Sequence, residues 1–129
     1  MIMLEAGLKY TSKVVVEKGN CASAVGSGGL DVFATPSMVA LMENAAMNAV
    51  APYLPGGSTT VGSEINVAHN KPSRLGAVIT ATAELLQVEG RKLSFKVVAE
   101  DGAGVIGEGT HVRFIVDETR FMAKVNAVQ

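Results

Sequence analysis

The chain has 129 residues, which fits one domain spanning 1–129 with a sizeable core. Apolar residues make up 48% and charged residues only 18%, so apolar surface is left over for a second copy of the chain to cover. A net charge of −1, with four phenylalanines, two tyrosines and no tryptophan, supplies neither the basic stripe nor the stacking platform that nucleic-acid binding needs.

In chain order, residues 1–10 carry Glu5 and Lys9 and lack the apolar centre of a signal peptide. Residues 11–17, around Val14-Val15-Val16, read as a strand. Residues 19–31 are rich in Gly, Ser and Ala and read as a mobile loop, either a connector or a lid over a pocket. Cys21 is the single cysteine, which excludes an internal disulfide and a thiolate metal cluster and suits a reducing compartment. With no apolar run long enough to span a bilayer, the expected location is the cytoplasm.

A helix is predicted over 36–50, with Thr35 as its N-cap, Pro36 at its first position and Pro52 and Pro55-Gly56-Gly57 as its stop. Its surface is apolar on most sides, so it belongs inside the protein. Strand patterns follow. Over 59–69, Val61, Ile65, Val67 and His69 alternate with Thr60, Gly62, Glu64 and Asn66. Over 77–88, Ile79, Ala81, Ala83 and Leu85 alternate with Thr80, Thr82 and Glu84. Glu89-Gly90-Arg91 is a tight turn into Leu93, Phe95, Val97 and Ala99. Asp101-Gly102 turns into a last strand over 105–117. Short turns require antiparallel neighbours. Long strands that curl around one buried helix give an α+β architecture, a curved antiparallel sheet wrapped on a central helix, which is the hotdog fold.

Three polar side chains stand out. On a helical wheel Ser37, Asn44 and Asn48 share a polar stripe, while Glu43 projects away from it among Val39, Ala40, Met47 and Val50. A carboxylate there needs a partner or a proton. It is either tied to an arginine such as Arg113 or works as a general base, and perturbed acids concentrate at sites. His69 ends an apolar strand face and points inward at the sheet rim. Such a histidine by itself is more often a hydrogen-bonded core residue than a catalyst. His111 sits mid-strand with no partner close in sequence and reads as structural. Thr35 is explained by capping, although a hydroxyl beside free helix-terminal amides borders an anion-friendly patch. Thr35 and Glu43 stand ~12 Å apart along a helix axis. They cannot touch on one helix unless Thr35 hangs back from its start, or else they serve different copies of a site at a subunit interface.

These residues lie in stretches that resemble the fluoroacetyl-CoA thioesterase family of hotdog proteins: Val32-Phe33-Ala34-Thr35, Met38-Val39, Leu41-Met42-Glu43, Ala51-Pro52-Tyr53-Leu54, Val61-Gly62 through Val67-Ala68-His69, Val88-Glu89-Gly90-Arg91, the Gly107 to His111 segment, and Phe121-Met122-Ala123-Lys124-Val125. The resemblance implies a homodimer, or a higher homo-oligomer, that cleaves acyl-CoA with Thr35, Glu43 and His69 as catalytic residues. It places Gly62 near the acyl group, with Arg113 assisting. In the fluoroacetyl-specific enzyme phenylalanines close the acyl pocket from the segment before the helix. Here that segment is Ser27-Gly28-Gly29-Leu30, without an aromatic, which implies a broader or different short acyl group.

The expected chemistry is hydrolysis of a short acyl-CoA thioester, with CoA as part of the substrate and no separate cofactor. His69 and Glu43 act as a base pair, Thr35 or a water attacks, and amides near Gly62 or the helix start hold the oxyanion. Lys71, Arg74, Arg91 and Lys92 are available to CoA phosphates, though each singly suits a solvated turn. No metal, nucleic acid or membrane partner is expected. The rivals are an acyl-thioester hydratase or dehydratase on the same fold, and a non-catalytic acyl-CoA or small-ligand binding protein.

Overall fold

The structure is a computed structural model that describes residues 4–128; residues 1–3, part of the segment read as lacking a signal sequence, lie outside it, as does 129. Strand β1 (Lys9–Val15) leads through a 3-10 turn at Lys18–Asn20 into a one-turn helix, α1 (Ala22–Val25), and then to the long helix α2 (Thr35–Val50). Four strands follow, β2 (Ser58–His69), β3 (Val78–Glu89), β4 (Lys92–Glu100) and β5 (Val105–Asp117), before a terminal helix, α3 (Glu118–Ala127). The strands form one antiparallel sheet in the order β1-β3-β4-β5-β2. Among the described residues no helix is long and apolar enough to cross a membrane.

The core follows from the alternation. Ile79, Ala81, Ala83 and Leu85 of β3 and Leu93, Phe95, Val97 and Ala99 of β4 are buried, and their even-numbered neighbours are not. They face Met38, Met42, Ala45, Ala46, Ala49 and Val50 of α2. Three helix alanines opposite three strand alanines let helix and sheet approach closely, while Met38 and Met42 fill the wider gaps. Burying a side chain such as Met42 contributes about 1.5–3 kcal/mol. The turn between β3 and β4 is Gly90-Arg91, with Gly90 at φ 63, where a side chain would be strained.

Four expectations change. Residues 19–31 are a fastened segment, not a loose loop. Asn20 Nδ2 donates to the Val15 carbonyl at 3.0 Å, Ser23 donates to Asp31, and Lys18 lies 3.6 Å from Asp31. Helix α2 begins at Thr35, with Ala34 in the flanking position and no side-chain cap, so Thr35 is free for another partner. The terminal helix α3 was not expected, although its signals are in the sequence. Asp117 caps it by accepting from the Arg120 amide at 2.9 Å, and Glu118 and Lys124 sit at the dipole-matched ends.

The fourth change bears on the site. In the β2–β5 register Gly62 pairs with Arg113 and Glu64 with Val112, so Ser63 is an extra residue. This bulge flips the parity of β2. Beyond it Ile65, Val67 and His69 share the inner face, as expected. Before it the inner face belongs to Thr60 and Gly62, and Val61 pairs with the half-exposed Phe114 on the outer face.

Candidate active site

The polar groups fall into two constellations on the concave side of the sheet. The first joins the end of β2 to the start of α2. Thr35 Oγ1 lies 2.7 Å from His69 Nδ1. The pair opens on a cavity of about 260 Å³ lined also by Ser27, Val32, Phe33 and Ala34. Burial holds the His69 pKa below the ordinary 6.5, partly opposed by the Lys71 backbone, so the ring is neutral at pH 7. Its Nε2 is covered by protein and has no hydrogen-bond partner, which leaves Nδ1 as the working nitrogen. Pro36 has no N–H, and Met38 N is bonded to the Ala34 carbonyl at 3.0 Å. The amides of Thr35 and Ser37 are therefore the donors that the helix start offers to an oxyanion.

The second constellation lies two helical turns away, beneath the bulge. Arg113 is buried, and its Nε and Nη2 donate to Thr60 Oγ1 and to the Thr60 carbonyl, each at 2.8 Å. Its Nη1 lies 3.3 Å from His111 Nε2 and 3.6 Å from Glu43 Oε1. His111 Nδ1 is 2.8 Å from the Glu64 carbonyl. A carbonyl only accepts, so Nδ1 carries the proton and Nε2 accepts from Arg113. Burial lowers the His111 pKa and the Arg113 charge adds to this, against the Glu64 carbonyl and Glu43. Burial also lowers the pKa of Arg113 while Glu43 raises it, and the guanidinium stays charged. A Cβ on Gly62 would sit 2.5 Å from Glu43 Oε1, 3.2 Å from His111 Cε1 and 3.3 Å from Arg113 Nη1. Glycine is thus the residue that lets the carboxylate lie across β2.

Of the expected site residues, Thr35 and His69 meet directly, and Glu43, Gly62 and Arg113 meet each other. Glu43 does not sit in apolar surroundings. Its side chain is 40% exposed and paired with Arg113, the arginine-bound alternative. Nor does it reach His69 within the chain, because Gly62 and His69 are ~20 Å apart along β2. The imidazole beside Glu43 belongs to His111, expected from the sequence to be structural. Its parity with Arg113 on β5 was the available signal, since both fall on the face of Ile115 and Gly109.

The arrangement can polarise a hydroxyl or water at Thr35–His69 and can hold a carboxylate in fixed orientation at Glu43–Arg113. Residues 16–119 match the family described as FlK, fluoroacetyl-CoA-specific thioesterase. The fluoroacetyl-CoA thioesterase of Streptantibioticus cattleyicolor is 48% identical over 95 residues, covering 74% of this chain and 68% of that protein. A crystal structure of a phenylalanine-to-alanine mutant of the fluoroacetyl-CoA-specific thioesterase FlK superposes with a TM-score of 0.93 at 37% identity, covering 100% of both chains. A thioesterase superfamily member from Thermus thermophilus superposes at 0.90 with 24% identity, covering 99% of this chain and 95% of that one, a likeness of fold. The chain therefore belongs to the family of fluoroacetyl-CoA-specific thioesterases and shares their hotdog fold.

Proposed function

We propose that the protein hydrolyses a short acyl-CoA thioester to the free acid and CoA, at a site that two copies of the chain complete together. Acyl-CoA thioester hydrolysis follows from the family. The observation that carries the site assignment is the 2.7 Å contact of Thr35 Oγ1 with a neutral, half-buried His69 at the mouth of a cavity. His69 Nδ1 takes the hydroxyl proton of Thr35, or that of a water beside it. The attacking oxygen bonds to the carbonyl carbon, the thioester C–S bond breaks, and the departing CoA thiolate takes the proton back from His69; where Thr35 is the attacker, a water that gives its proton to His69 then cleaves the Thr35 ester, releasing the acid and restoring the hydroxyl. The Thr35 and Ser37 amides hold the carbonyl oxygen as it gains charge.

Glu43 enters from the second copy. Among the described residues strand β2 pairs only with β5, which leaves its outer edge to pair with another β2. Antiparallel pairing about a twofold axis between Ile65 and Asn66 sets His69 of one copy across from Gly62 of the other, and so near the carboxylate that Arg113 holds. The helix spacing that separates Thr35 from Glu43 within a chain is then no obstacle. A homodimer in the cytoplasm, where acyl-CoA is made and a buried thiol such as Cys21 stays reduced, fits this assignment.

Ser27 lines the cavity beside Thr35, and the 27–30 segment contributes no aromatic. The acyl preference is therefore for short groups in general, with fluoroacetyl-CoA and acetyl-CoA processed at comparable kcat/KM. Thiol release over a series of short acyl-CoAs tests the reaction, and absence of release from every member defeats it. Mixing tests the shared site. Neither a Thr35→Ala/His69→Ala double variant nor Glu43→Gln is active alone. A heterodimer of the two has one intact site if the residues come from different copies and none if they come from one. Activity on mixing supports the shared site, and silence places all the residues within one chain. Trapping an acyl-enzyme under single turnover separates attack by Thr35 from attack by water.

A further inference from the structure

We infer that Asp101, in the turn between β4 and β5, is a positioning residue for the Thr35–His69 pair, an inference that rests on the site assignment above. His69 pairs with Gly107, and Gly107 with Ala99. Ala99 is thus ~10 Å from His69, two strand spacings away. Strands β2 and β4 both run antiparallel to β5 and so run the same way. Asp101, two residues past Ala99, therefore comes level with Lys71, two residues past His69. The turn holds its own aspartate in place. Asp101 Oδ1 accepts from the Ala103 amide at 2.9 Å, and the Asp101 amide donates to the Gly104 carbonyl at 3.1 Å. The Ala103 amide and then Lys71 hold the carboxyl below the usual carboxylate range, against desolvation, so it is charged at neutral pH.

Two arms leave this carboxylate, one toward each member of the pair. Lys71 Nζ lies 3.2 Å from both Asp101 oxygens. Burial lowers the His69 pKa and the Lys71 backbone opposes it, so a shift of Lys71 reaches the ring. On the other arm, Ser73 Oγ donates to Asp101 Oδ2 at 3.5 Å, and the Ser73 carbonyl accepts from the Phe33 amide at 3.0 Å. Phe33 is two residues before Thr35, and Val32 bridges to Arg74 beside it. Bonds from the Asn70 and Lys71 amides to the Ile106 carbonyl, at 2.8 and 3.3 Å, fix where the chain leaves β2, and Asp101 fixes how it continues. Asn70, Lys71 and Pro72 also line the cavity at Thr35–His69. Lys71, which the sequence offered to CoA phosphates, is turned to this carboxylate instead. The Lys71 side chain is 41% exposed and that of Asp101 only 9%. An ion pair with one solvated partner adds little to stability, so its consequence is geometric. Misplacing a reacting group by ~1 Å costs about a hundredfold in rate.

The test uses the full chain with Asp101→Ala, Asp101→Asn and Lys71→Met. Asp117→Ala is the control, since it removes the α3 cap at the other end of β2 from His69. For each, kcat and KM are measured on one acyl-CoA, stability by a urea melt, and the His69 Nδ1 signal by nitrogen NMR, identified by its loss in His69→Ala. Asp101→Ala should lower kcat by about tenfold or more and leave KM within about twofold of wild type. It should also move the Nδ1 signal toward that of Thr35→Ala, where the hydrogen bond is gone. Lys71→Met keeps the Ala103 bond and cuts one arm. It should shift both readouts the same way, and it carries the test if Asp101→Ala does not fold. Asp101→Asn still accepts from the Ala103 amide and should fall between Asp101→Ala and wild type. An unchanged kcat or an unmoved Nδ1 signal in Asp101→Ala and Lys71→Met overturns the inference. So does an equal loss of kcat in Asp117→Ala at equal loss of stability. A wild type that releases no thiol counts against the thioesterase assignment, while the Nδ1 signal still decides whether Asp101 positions the pair.

Discussion

Thr35 Oγ1 and His69 Nδ1 lie 2.7 Å apart although 34 residues separate them in the chain. A helix start and a strand end meet in this one side-chain hydrogen bond at the mouth of the cavity. Thr35 is exposed, so its loss has little structural cost. Thr35→Ala should lower kcat by about 10²–10⁴-fold while shifting stability by no more than ~1 kcal/mol. Thr35→Ser, which keeps the hydroxyl, should retain most of the activity. Thiol release together with a urea melt checks both, and an active Thr35→Ala removes the hydroxyl from the mechanism.

The buried guanidinium of Arg113 gives up three hydrogen bonds and the Glu43 contact if it is replaced. Arg113→Met should destabilise the fold by about 2–3 kcal/mol, since the Thr60 carbonyl and the His111 ring lose their donor. Glu43 is 40% exposed, so its ion pair adds little to that figure once solvent screening is counted. Arg113→Lys cannot reproduce the fork that holds Thr60 and Glu43 together. It should lose less stability than Arg113→Met but still lower kcat. Chemical denaturation and steady-state kinetics on the two variants test this, and a fully active Arg113→Lys would show that Glu43 needs no orientation.

Gly62 is constrained by what crosses it. The Cβ of Gly62→Ala would press on Glu43 Oε1 at 2.5 Å. The carboxylate is a flexible side-chain end and can withdraw, so the cost should appear in activity more than in stability. Gly62→Ala should lower kcat/KM by about tenfold or more, with stability changed by no more than ~1 kcal/mol. Gly62→Val, which also crowds His111 and Arg113, should do more of both. A normal kcat/KM in Gly62→Ala would mean that Glu43 has no fixed working position.

Protonation should report on both histidines. Each has a folded-state pKa below the unfolded value of 6.5, in each case first because of burial. Between those two pKa values the unfolded chain binds more protons than the folded one, so stability rises with pH across that window. Stability should accordingly fall as the pH drops below about 6.5, and then level off once it is below the folded-state pKa values. His111→Asn should flatten part of this slope in urea melts at stepped pH. For activity, neutral His69 is the competent form, so kcat/KM should be lost on an acidic limb lying below pH 6.5. An acidic limb above that value would require a different base.

The sequence by itself determined the helix, the alternating strands and their turns. Odd-numbered apolar residues in β3 and β4 can be buried together only on one sheet face. Pro52 and Pro55-Gly56-Gly57 stop α2, and Gly90 makes the tight hairpin turn. It also held the signals for α3, since Asp117, Glu118 and Lys124 match a helix cap and dipole. Only the tertiary structure decided which face of β2 looks inward before Ser63, because that bulge is set by pairing with β5, far along the chain. It therefore also decided that Gly62 and Thr60, not Val61, meet Arg113, that Glu43 lies beside His111, and that Thr35 binds His69 instead of capping its helix. Local periodicity records which residues avoid water. The strand register that brings polar groups together depends on contacts between distant segments, which no window of sequence contains.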